Sequence, residues 1–498
     1  MSLAIVYSRA RTGMDAPLVT VEVHLSNGLP CLAIVGLPET AVKESKDRVR
    51  SAILNSQFDF PARRITINLA PADLPKEGGR FDLPIALGIL AASRQIPGAE
   101  LEHYEFAGEL ALSGELRTVQ GILPLALQTR SAQRTLVVPA GNLAEATLVQ
   151  DIRVLAVAHL LTITQHLNRT RPLDYASAMP PSAPECNAPD LADVRGQAHA
   201  RRALEIAAAG NHSLLLLGPP GTGKSLLASR LPGILPEMTE AEALQSAAIA
   251  SVSGKTIDVR HWKQRPFRAP HHTASGVALV GGGSNPAPGE ISLAHNGVLF
   301  LDELPEFDRK VLEVLREPLE SGRIMISRAA RQVEFPARFQ LLAAMNPCPC
   351  GFLGDASGRC HCNIDQVERY RRKISGPLLD RIDMHIEMPR LSFSEINGPP
   401  GESSLSIRTR VERARALQLD RNQTLNSHLG NEQLDGCCRL QEADRQLLQQ
   451  AMERLQLSAR AYHRILKVAR TIADLDGAVT VAASHLAEAI NYRRLDRR

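Results

Sequence analysis

The sequence predicts an α/β protein built from more than one domain, and three observations support this class. The chain has 498 residues, which is more than one compact core usually holds. Short apolar runs typical of strands alternate with helical stretches through most of its length. Prolines then interrupt this alternation near residue 180. Proline does not fit in helix interiors or in central strands, because it lacks the backbone N–H that both require. These prolines are Pro172, Pro180, Pro181, Pro184 and Pro189.

The first module, residues 1–168, combines β-type runs with apolar helical stretches such as Leu83–Ser93. Four runs predict strands: Leu18–Val23, Leu32–Val35, Ile65–Leu69 and Thr135–Val138. The proline-rich residues 169–189 are interpreted as a linker.

The second module, residues 190–392, keeps the strand–helix alternation. Residues 393–404 contain a Gly-Pro-Pro-Gly break, and the remaining residues, 405–498, contain no proline and have a helical pattern. The chain is therefore expected to end in a helical domain.

Composition limits the classes of function that the chain can have. The net charge of +4 is too small to identify a partner. No run of about 18 apolar residues occurs, which excludes a membrane-spanning helix, and no export signal is visible at the N-terminus. These features predict a cytoplasmic protein whose eight cysteines are thiols or metal ligands rather than disulfides.

Residues 218–225 read GPPGTGKS and follow the apolar run Ser213–Leu217, which predicts a buried strand. Glycines allow the backbone N–H groups to point at phosphate oxygens, and the start of the next helix reinforces this. The lysine supplies a point charge for the β and γ phosphates, and the serine hydroxyl ligates Mg²⁺. The predicted nucleotide contacts are Gly218, Pro219, Pro220, Gly221, Thr222, Gly223, Lys224, Ser225 and Leu226.

Two further apolar runs end in polar residues that suit ATP hydrolysis. Val298–Leu301 ends at Asp302 and Glu303, and a carboxylate there can hold Mg²⁺ through water while the next one polarises the attacking water. Phe339–Met345 ends at Asn346, whose amide can orient that water. The sequence therefore predicts a hydrolase with ATP and Mg²⁺ as ligands.

Four cysteines occur as two close pairs within 15 residues. They are Cys348, Cys350, Cys360 and Cys362. Four thiolates suit a structural, tetrahedral Zn²⁺ site, and His361 could replace one sulfur. The alternatives are unliganded buried thiols or redox-active pairs.

Taken together, GPPGTGKS, VLFLDE, AAMNP and GPLLDRID resemble the motifs of the AAA+ ATPases. Residues 286–307 resemble the magnesium-chelatase branch, and nearly the whole chain resembles the ComM/YifB group within it. This resemblance implies an AAA+ P-loop core with a helical lid, preceded by a Lon-protease-like (ribosomal S5 domain 2-like) α/β domain.

The resemblance also implies a role for each motif residue. Lys224 matches the Walker A lysine, Asp302 and Glu303 match the Walker B pair, and Asn346 matches sensor 1.

Two arginines match residues that act between subunits or on the nucleotide. Arg381 matches the arginine finger, which reaches the γ-phosphate of a neighbouring subunit and implies a ring, expected to be a hexamer. The alternative is a surface or interface salt bridge. Arg460 matches sensor 2, and Arg464, one turn further on, competes for that role.

The N-terminal module resembles the Lon-type protease fold over residues 71–93 and 108–124. That chemistry needs a nucleophilic serine and a lysine base. Arg80 stands at the serine position and Leu123 at the lysine position, so both halves of the dyad are missing. A scaffold or a DNA-contacting collar is therefore expected rather than a peptidase.

Residues 323–338 read as two strands around a turn and carry Arg323, Arg328 and Arg331. In related ATPases a hairpin at this place points into the pore of the ring, where arginines would bind DNA phosphates without reading sequence. The alternative is a solvated hairpin. The ComM-type resemblance implies ATP-driven helicase or branch-migration activity on single-stranded or branched DNA, in natural transformation and homologous recombination.

Two other functions compete with a DNA motor. One is a magnesium-chelatase motor subunit, which has no evident need for the N-terminal module. The other is a protein-remodelling ATPase, for which pore aromatics are expected, whereas HHTASGVALVGGG at residues 271–283 contains no Phe, Tyr or Trp.

Overall fold

The computed structural model describes residues 3–36, 42, 44–176, 188–255, 257–283, 286–328, 331–354 and 358–493, without the side chains of Arg328 and Arg331. It confirms the predicted α/β class. The chain divides into two compact units, one formed by Met1–Ala183 with Leu244–Trp262 and the other by Pro184–Ala243 with Lys263–Arg498. Leu244–Trp262 lies inside the range predicted for the ATPase core, but it packs with the N-terminal unit.

The N-terminal unit is built on a mixed seven-stranded sheet of order β3–β4–β2–β1–β5–β8–β9. The β1–β2 and β2–β4 pairs are antiparallel and the other pairs are parallel. Its strands, with the separate β6–β7 pair, are β1 (Leu3–Arg9), β2 (Leu18–Ser26), β3 (Cys31–Val35), β4 (Arg64–Ala70), β5 (Tyr104–Phe106), β6 (Glu109–Leu110), β7 (Leu116–Arg117), β8 (Thr135–Pro139) and β9 (Val154–Val157).

One helix forms the centre of this unit because it is apolar on nearly all sides. Every residue of Asp82–Ala92 is buried, and the helix packs against β1 and β2. The described helices of the N-terminal part are α1 (Ser45–Asn55), α2 (Asp82–Ala92), α3 (Ile122–Ser131), α4 (Leu143–Ala146) and α5 (Leu160–Leu167).

The second unit contains a parallel five-stranded sheet of order β11–β14–β17–β10–β18. Its inner strands are continuous apolar runs, as expected for strands that are covered on both faces. With the β12–β13 and β15–β16 hairpins, the strands are β10 (Leu214–Leu217), β11 (Phe267–Arg268), β12 (Gly281–Gly282), β13 (Ala287–Pro288), β14 (Val298–Leu301), β15 (Arg323–Arg328), β16 (Arg331–Pro336), β17 (Gln340–Met345) and β18 (Met384–Glu387).

The last five α-helices of the chain form the predicted helical segment, and sixteen α-helices in all follow residue 190 in the part of the chain that is described. They are α6 (Ala198–Gly210), α7 (Lys224–Ala228), α8 (Leu231–Ile234), α9 (Glu240–Val252), α10 (Gly276–Val280), α11 (Glu290–Leu293), α12 (Arg309–Val314), α13 (Pro318–Ser321), α14 (Ile364–Arg371), α15 (Gly376–Leu379), α16 (Phe393–Ile396), α17 (Ser404–Asn422), α18 (Asn431–Cys437), α19 (Glu442–Leu455), α20 (Ala459–Leu475) and α21 (Ala483–Asn491). Among the described residues, no helix is both long and apolar enough to cross a bilayer.

The long helix α20 holds the helical segment against the sheet. It packs on α6, α17 and α21, and its apolar face, including Ile465 and Ile472, is fully buried. Arg470 is also buried, but its guanidinium is paired with Asp474 at 2.9 Å and donates to the carbonyl oxygen of Val479, so the charge is compensated. The parallel strands place three polar sequence motifs at one edge of the sheet.

Candidate nucleotide site

The loop between β10 and α7 has a conformation that only glycine-rich sequence adopts without strain. Gly221 and Gly223 have φ angles of +81° and +87°. A Cβ atom at Gly218 would lie 2.4 Å from the carbonyl oxygen of Met388, so no side chain fits there. The loop therefore leads directly into α7 with its backbone closely wrapped, as a phosphate-binding loop requires.

Lys224 begins α7 and lies inside this loop. Its Nζ donates to the carbonyl oxygens of Gly218 at 2.7 Å and Pro219 at 2.9 Å, and to Oδ1 of Asn346 at 3.1 Å. Burial lowers the pKa of Lys224, although the carboxylate of Asp302 opposes the shift. The structure thus brings together Lys224 and Asn346, which follow β10 and β17 and are 122 residues apart in sequence.

Ser225 and Asp302 form the second contact between the motifs. The Ser225 hydroxyl donates to Oδ2 of Asp302 at 2.5 Å, and Oδ1 of Asp302 accepts the backbone N–H of Glu303 at 2.9 Å. A hydroxyl and a carboxylate oxygen are ligands that Mg²⁺ accepts, and such a site usually completes its octahedron with waters and phosphate oxygens. The two residues are therefore arranged as a Mg²⁺ site would need.

Glu303 has an environment that the sequence did not predict. Its φ angle is +53°, which is uncommon for a residue other than glycine, and its side chain is 51% exposed. Nδ1 of His272 lies 3.2 Å from its Oε2, and the ring of His271 stacks 4.2 Å from that of His272. The sequence feature that could have indicated this contact is the His-His pair, which begins three residues after β11, the strand next to β14.

Arg381 lies at the opposite edge of the sheet from the P-loop of its own chain. It precedes β18, whereas the P-loop follows the neighbouring parallel strand β10. A four-residue strand separates these edges by about 13 Å. The side chain is only 6% exposed, with Nη2 at 2.6 Å from Oε1 of Glu320 and Nη1 donating to the carbonyl oxygen of Pro377 at 2.8 Å.

Arg464, one of the two sensor 2 candidates, also lies away from the P-loop of its own chain. Arg464 forms an ion pair with Asp383, which immediately precedes β18. Arg460, one turn earlier on α20, is exposed. Arg381, Asp383 and Arg464 line one cavity of about 520 Å³ at this edge. The ion pair with Asp383 holds Arg464 at this end of the sheet, opposite the P-loop of the same chain.

The four-cysteine group has the dimensions of a tetrahedral metal site. The Sγ atom of Cys348 lies 3.4 Å from that of Cys350 and 3.8 Å from that of Cys360, and all four Sγ atoms lie within 4.8 Å of one another. Zn–S bonds of about 2.3 Å place sulfurs about 3.8 Å apart, so the thiols fit zinc. His361 is exposed and does not belong to the group.

This cluster lies directly beside the nucleotide site. It begins two residues after Asn346, and a Cβ atom at Gly351 would lie 2.8 Å from the ring of Pro220 in the P-loop. A metal there would fix the loop that follows β17.

The arginine hairpin is formed by β15 and β16, with Arg328 and Arg331 opposite each other at its tip. Their side chains lie outside the part of the chain that is described. Arg323 pairs with Glu334 at 2.9 Å, with both side chains largely exposed. Of the three arginines predicted to contact DNA, Arg323 is therefore already paired with a carboxylate of its own hairpin.

In the N-terminal unit, the two positions of the predicted missing dyad are both buried. Leu123 is fully buried, and Arg80 is 6% exposed. Burial lowers the pKa of Arg80 to about 10, and its Nη2 donates to the carbonyl oxygen of Gln120 at 2.6 Å.

Comparison with known proteins agrees with these motifs. Three family models match in succession: the magnesium chelatase ChlI subunit family over residues 190–396, a second ChlI subunit family over 21–142, and the ChlI C-terminal family over 401–493. The chain is 54% identical to competence protein ComM of Haemophilus influenzae and 51% identical to YifB of Salmonella typhimurium, over 100% of this chain and 98% of each relative. It is also 28% identical to an archaeal Lon protease of Methanocaldococcus jannaschii, over 37% of this chain and 24% of that protein.

Proposed function

The chain belongs to the ComM/YifB family of magnesium-chelatase-like AAA+ ATPases, and from this premise we propose that it is a ring-forming ATPase that moves on DNA. The proposal has three parts, which concern the ATP site, the ring and the DNA.

ATP hydrolysis is supported by the contacts that join three separate strands at one edge of the sheet. Lys224 bonds Asn346, and Ser225 bonds Asp302, so the four groups surround the start of α7. In the proposed reaction Lys224 would neutralise charge on the β and γ phosphates, and Ser225 and Asp302 would hold Mg²⁺. Asn346 would orient the attacking water, and Glu303 would polarise that water and accept its proton. The proposed nucleotide contacts are residues 218–226, which consist of the GPPGTGKS loop and Leu226.

The ring is supported by the position of Arg381. Arg381 lies at the end of the sheet opposite the P-loop of its own chain, so a contact between Arg381 and nucleotide would involve another subunit. Arg381 as a finger in the neighbouring site would stabilise charge in the transition state, and Arg460 would contact the same nucleotide. Closed rings of identical subunits bury such head-to-tail interfaces fully, and a hexamer is the size that we propose.

The DNA substrate is supported by the hairpin and by the name of the ComM relative, a competence protein. Arg328 and Arg331 stand at a hairpin tip, where two strands can project into a pore. Arginines at that place would bind phosphates of either strand without base specificity. Helicase or branch-migration activity during DNA uptake and recombination, in the cytoplasm, follows from this proposal.

Zinc at the four cysteines is a further part of the proposal. Cys348, Cys350, Cys360 and Cys362 would hold it as a closed site. A closed set of four thiolates leaves no position for substrate, so the metal would stabilise the loop beside Pro220 and take no part in hydrolysis.

The hairpin can be tested with a double variant, Arg328→Ala with Arg331→Ala. We expect DNA affinity and strand separation to fall, and the log–log slope of affinity against salt to decrease by about one unit for each lost phosphate contact. DNA-independent ATP hydrolysis and ring assembly should remain near normal.

The matched control is Arg323→Ala in the same hairpin, because Arg323 is already paired with Glu334. It should change DNA affinity and salt slope much less. If the double variant binds and separates DNA like the wild-type protein, the hairpin does not contact DNA.

A further inference from the structure

The site of the missing protease dyad is closed by a network of polar contacts. The backbone N–H of Leu123, at the former lysine position, donates to Oε1 of Glu145 at 2.9 Å. Arg80, at the former serine position, donates to the carbonyl oxygen of Gln120 at 2.6 Å. Arg11 donates to Oε1 of Gln120 at 3.4 Å. The two residues matched to the protease dyad are therefore each bonded to a residue of the same unit, Arg80 to Gln120 and Leu123 to Glu145.

The end of helix α9 and the loop after it contact the same group of residues. The Ser251 hydroxyl donates to Oε1 of Glu145, the oxygen that also binds the N–H of Leu123. Arg11 donates to the carbonyl oxygen of Val252 at 3.3 Å. Both Ser251 and Val252 are buried, so the contact excludes water.

The approach between the loop and the pocket is close enough to require glycine. Gly254 has a φ angle of +75°, and a Cβ atom there would lie 2.8 Å from the amide nitrogen of Gln120. A side chain at this position would therefore be strained and would also push against the pocket. Both the backbone conformation of Gly254 and its short distance to Gln120 therefore favour glycine at this place.

Helix α9 belongs to both units of the chain. Its first turn carries Glu242, whose carboxylate binds Arg265 at 3.2 Å and whose carbonyl oxygen accepts from the Asn296 side chain at 3.2 Å. From Leu244 to Trp262 the chain packs with the N-terminal unit, and it then returns to β11, the neighbour of β14. Strand β14 leads directly into Asp302 and Glu303.

We infer that the former dyad site is an internal docking site whose occupant is Ser251–Gly254 of the same chain, and that this contact carries the nucleotide state of the P-loop unit to the N-terminal module. The second half rests on the proposed ATP binding, but neither half depends on DNA. Helix α9 is continuous across the limit between the units, so a change at the contacts of its first turn would reach Ser251 through the helix itself. The pocket also stays closed to peptides while this segment occupies it.

The docking contact is tested with Ser251→Asp, which places a carboxylate against Glu145. Like charges at this distance repel, so the segment should leave the pocket. We expect amide hydrogen exchange at residues 119–124 and 249–255 to rise at least about tenfold. Adding Glu145→Gln should restore the wild-type exchange, since the amide can donate to the new carboxylate.

The matched control is Ser253→Asp, which adds the same charge two residues away. The Ser253 hydroxyl bonds only the carbonyl oxygen of Ala250 in its own helix among the contacts described, so exchange at residues 119–124 should not change. If Ser251→Asp fails to fold, Gly254→Ala replaces it, because both its φ angle and its distance to Gln120 oppose a side chain. Unchanged exchange in the variant would overturn the docking site.

The coupling is tested by comparing exchange at residues 119–145 with and without ATP, in a Glu303→Gln background that retains the bound nucleotide. We expect ATP to change this exchange in the parent protein and to have no effect once Ser251→Asp is added, with ATP affinity unaltered. An ATP effect that persists in the variant, or that is absent from the parent protein despite bound ATP, would overturn the coupling. Failure of the parent to bind ATP at all would instead refute the proposed function.

Discussion

Replacing Glu303 with glutamine separates ATP binding from ATP hydrolysis. Glutamine has the size of glutamate and can still accept a hydrogen bond from His272, but it cannot take a proton from water. Loss of a general base lowers turnover by about 10² to 10⁴-fold. At about 1.4 kcal/mol per tenfold, this corresponds to an activation barrier higher by about 2.8 to 5.6 kcal/mol.

Binding should be spared, because Lys224, rather than Glu303, is the residue placed inside the loop that would hold the phosphates. Its side chain is 51% exposed, and its described ion pair is with His272. Removing a negative charge near the triphosphate should leave the affinity for ATP unchanged or slightly higher. The expected signature is therefore a loss confined to kcat.

The assay measures phosphate release at saturating ATP together with equilibrium binding of a fluorescent ATP analogue. The matched control is Glu306→Gln, three residues further along, where the carboxylate pairs with Lys373 at 3.2 Å on the surface. This control should hydrolyse ATP at nearly the wild-type rate. A Glu303→Gln protein with wild-type turnover would remove Glu303 from the mechanism.

The remaining predictions concern the other groups of the second unit. Lys224→Ala should weaken ATP binding by about 10- to 150-fold, the value of one charge-assisted contact, as measured by analogue titration; an unchanged affinity would contradict its role. Arg381→Ala should assemble into rings but not hydrolyse ATP, and mixing it with the Lys224→Ala protein should restore some activity; inactive mixtures in which hybrids are detected would contradict action between subunits. Protein purified without chelator should contain about one Zn per chain by metal analysis, and Cys360→Ser should lose it; no metal together with freely alkylated thiols would exclude the site. Burial lowers the pKa of His295 to about 4, so the unfolded chain binds a proton more tightly and the free energy of unfolding, followed by denaturant titration, should decrease from pH 6.5 towards pH 4.

The nucleotide site was largely predictable from sequence because its residues follow short apolar strands. The chain order of motif and strand fixes which edge of a parallel sheet each motif occupies, and this is sufficient to bring Lys224, Asp302 and Asn346 together. The cysteine cluster was predictable for a similar reason, since both pairs lie within one short segment.

Contacts between segments far apart in sequence were not predictable in this way. His272 reaches Glu303 because β11 and β14 are neighbours, and strand order in the sheet is a tertiary property. The ion pair of Arg381 with Glu320 likewise joins two segments that carry no shared pattern. The His-His pair after β11 is visible in the sequence, but its partner Glu303 is not indicated by any local pattern.

The packing of Leu244–Trp262 with the N-terminal unit was not predictable for a different reason. Helix α9 is continuous from Glu240 to Val252, so the sequence contains no break at the point where it passes from one unit to the other. Prolines and glycines mark domain limits in a sequence, and helix α9, which is shared by the two units, contains neither. Only the partners of Ser251, and the close approach at Gly254, reveal which unit this segment joins.

The central claim, a ring ATPase that works on DNA, is tested most directly by the rate of ATP hydrolysis with and without DNA. The rate should be measured for the wild-type protein with no DNA and with single-stranded, duplex and forked DNA of equal length. We predict that single-stranded or forked DNA increases the rate, and that the increase disappears in the variant lacking Arg328 and Arg331. A rate that is the same with every DNA, in protein that assembles and hydrolyses ATP, would contradict the claim.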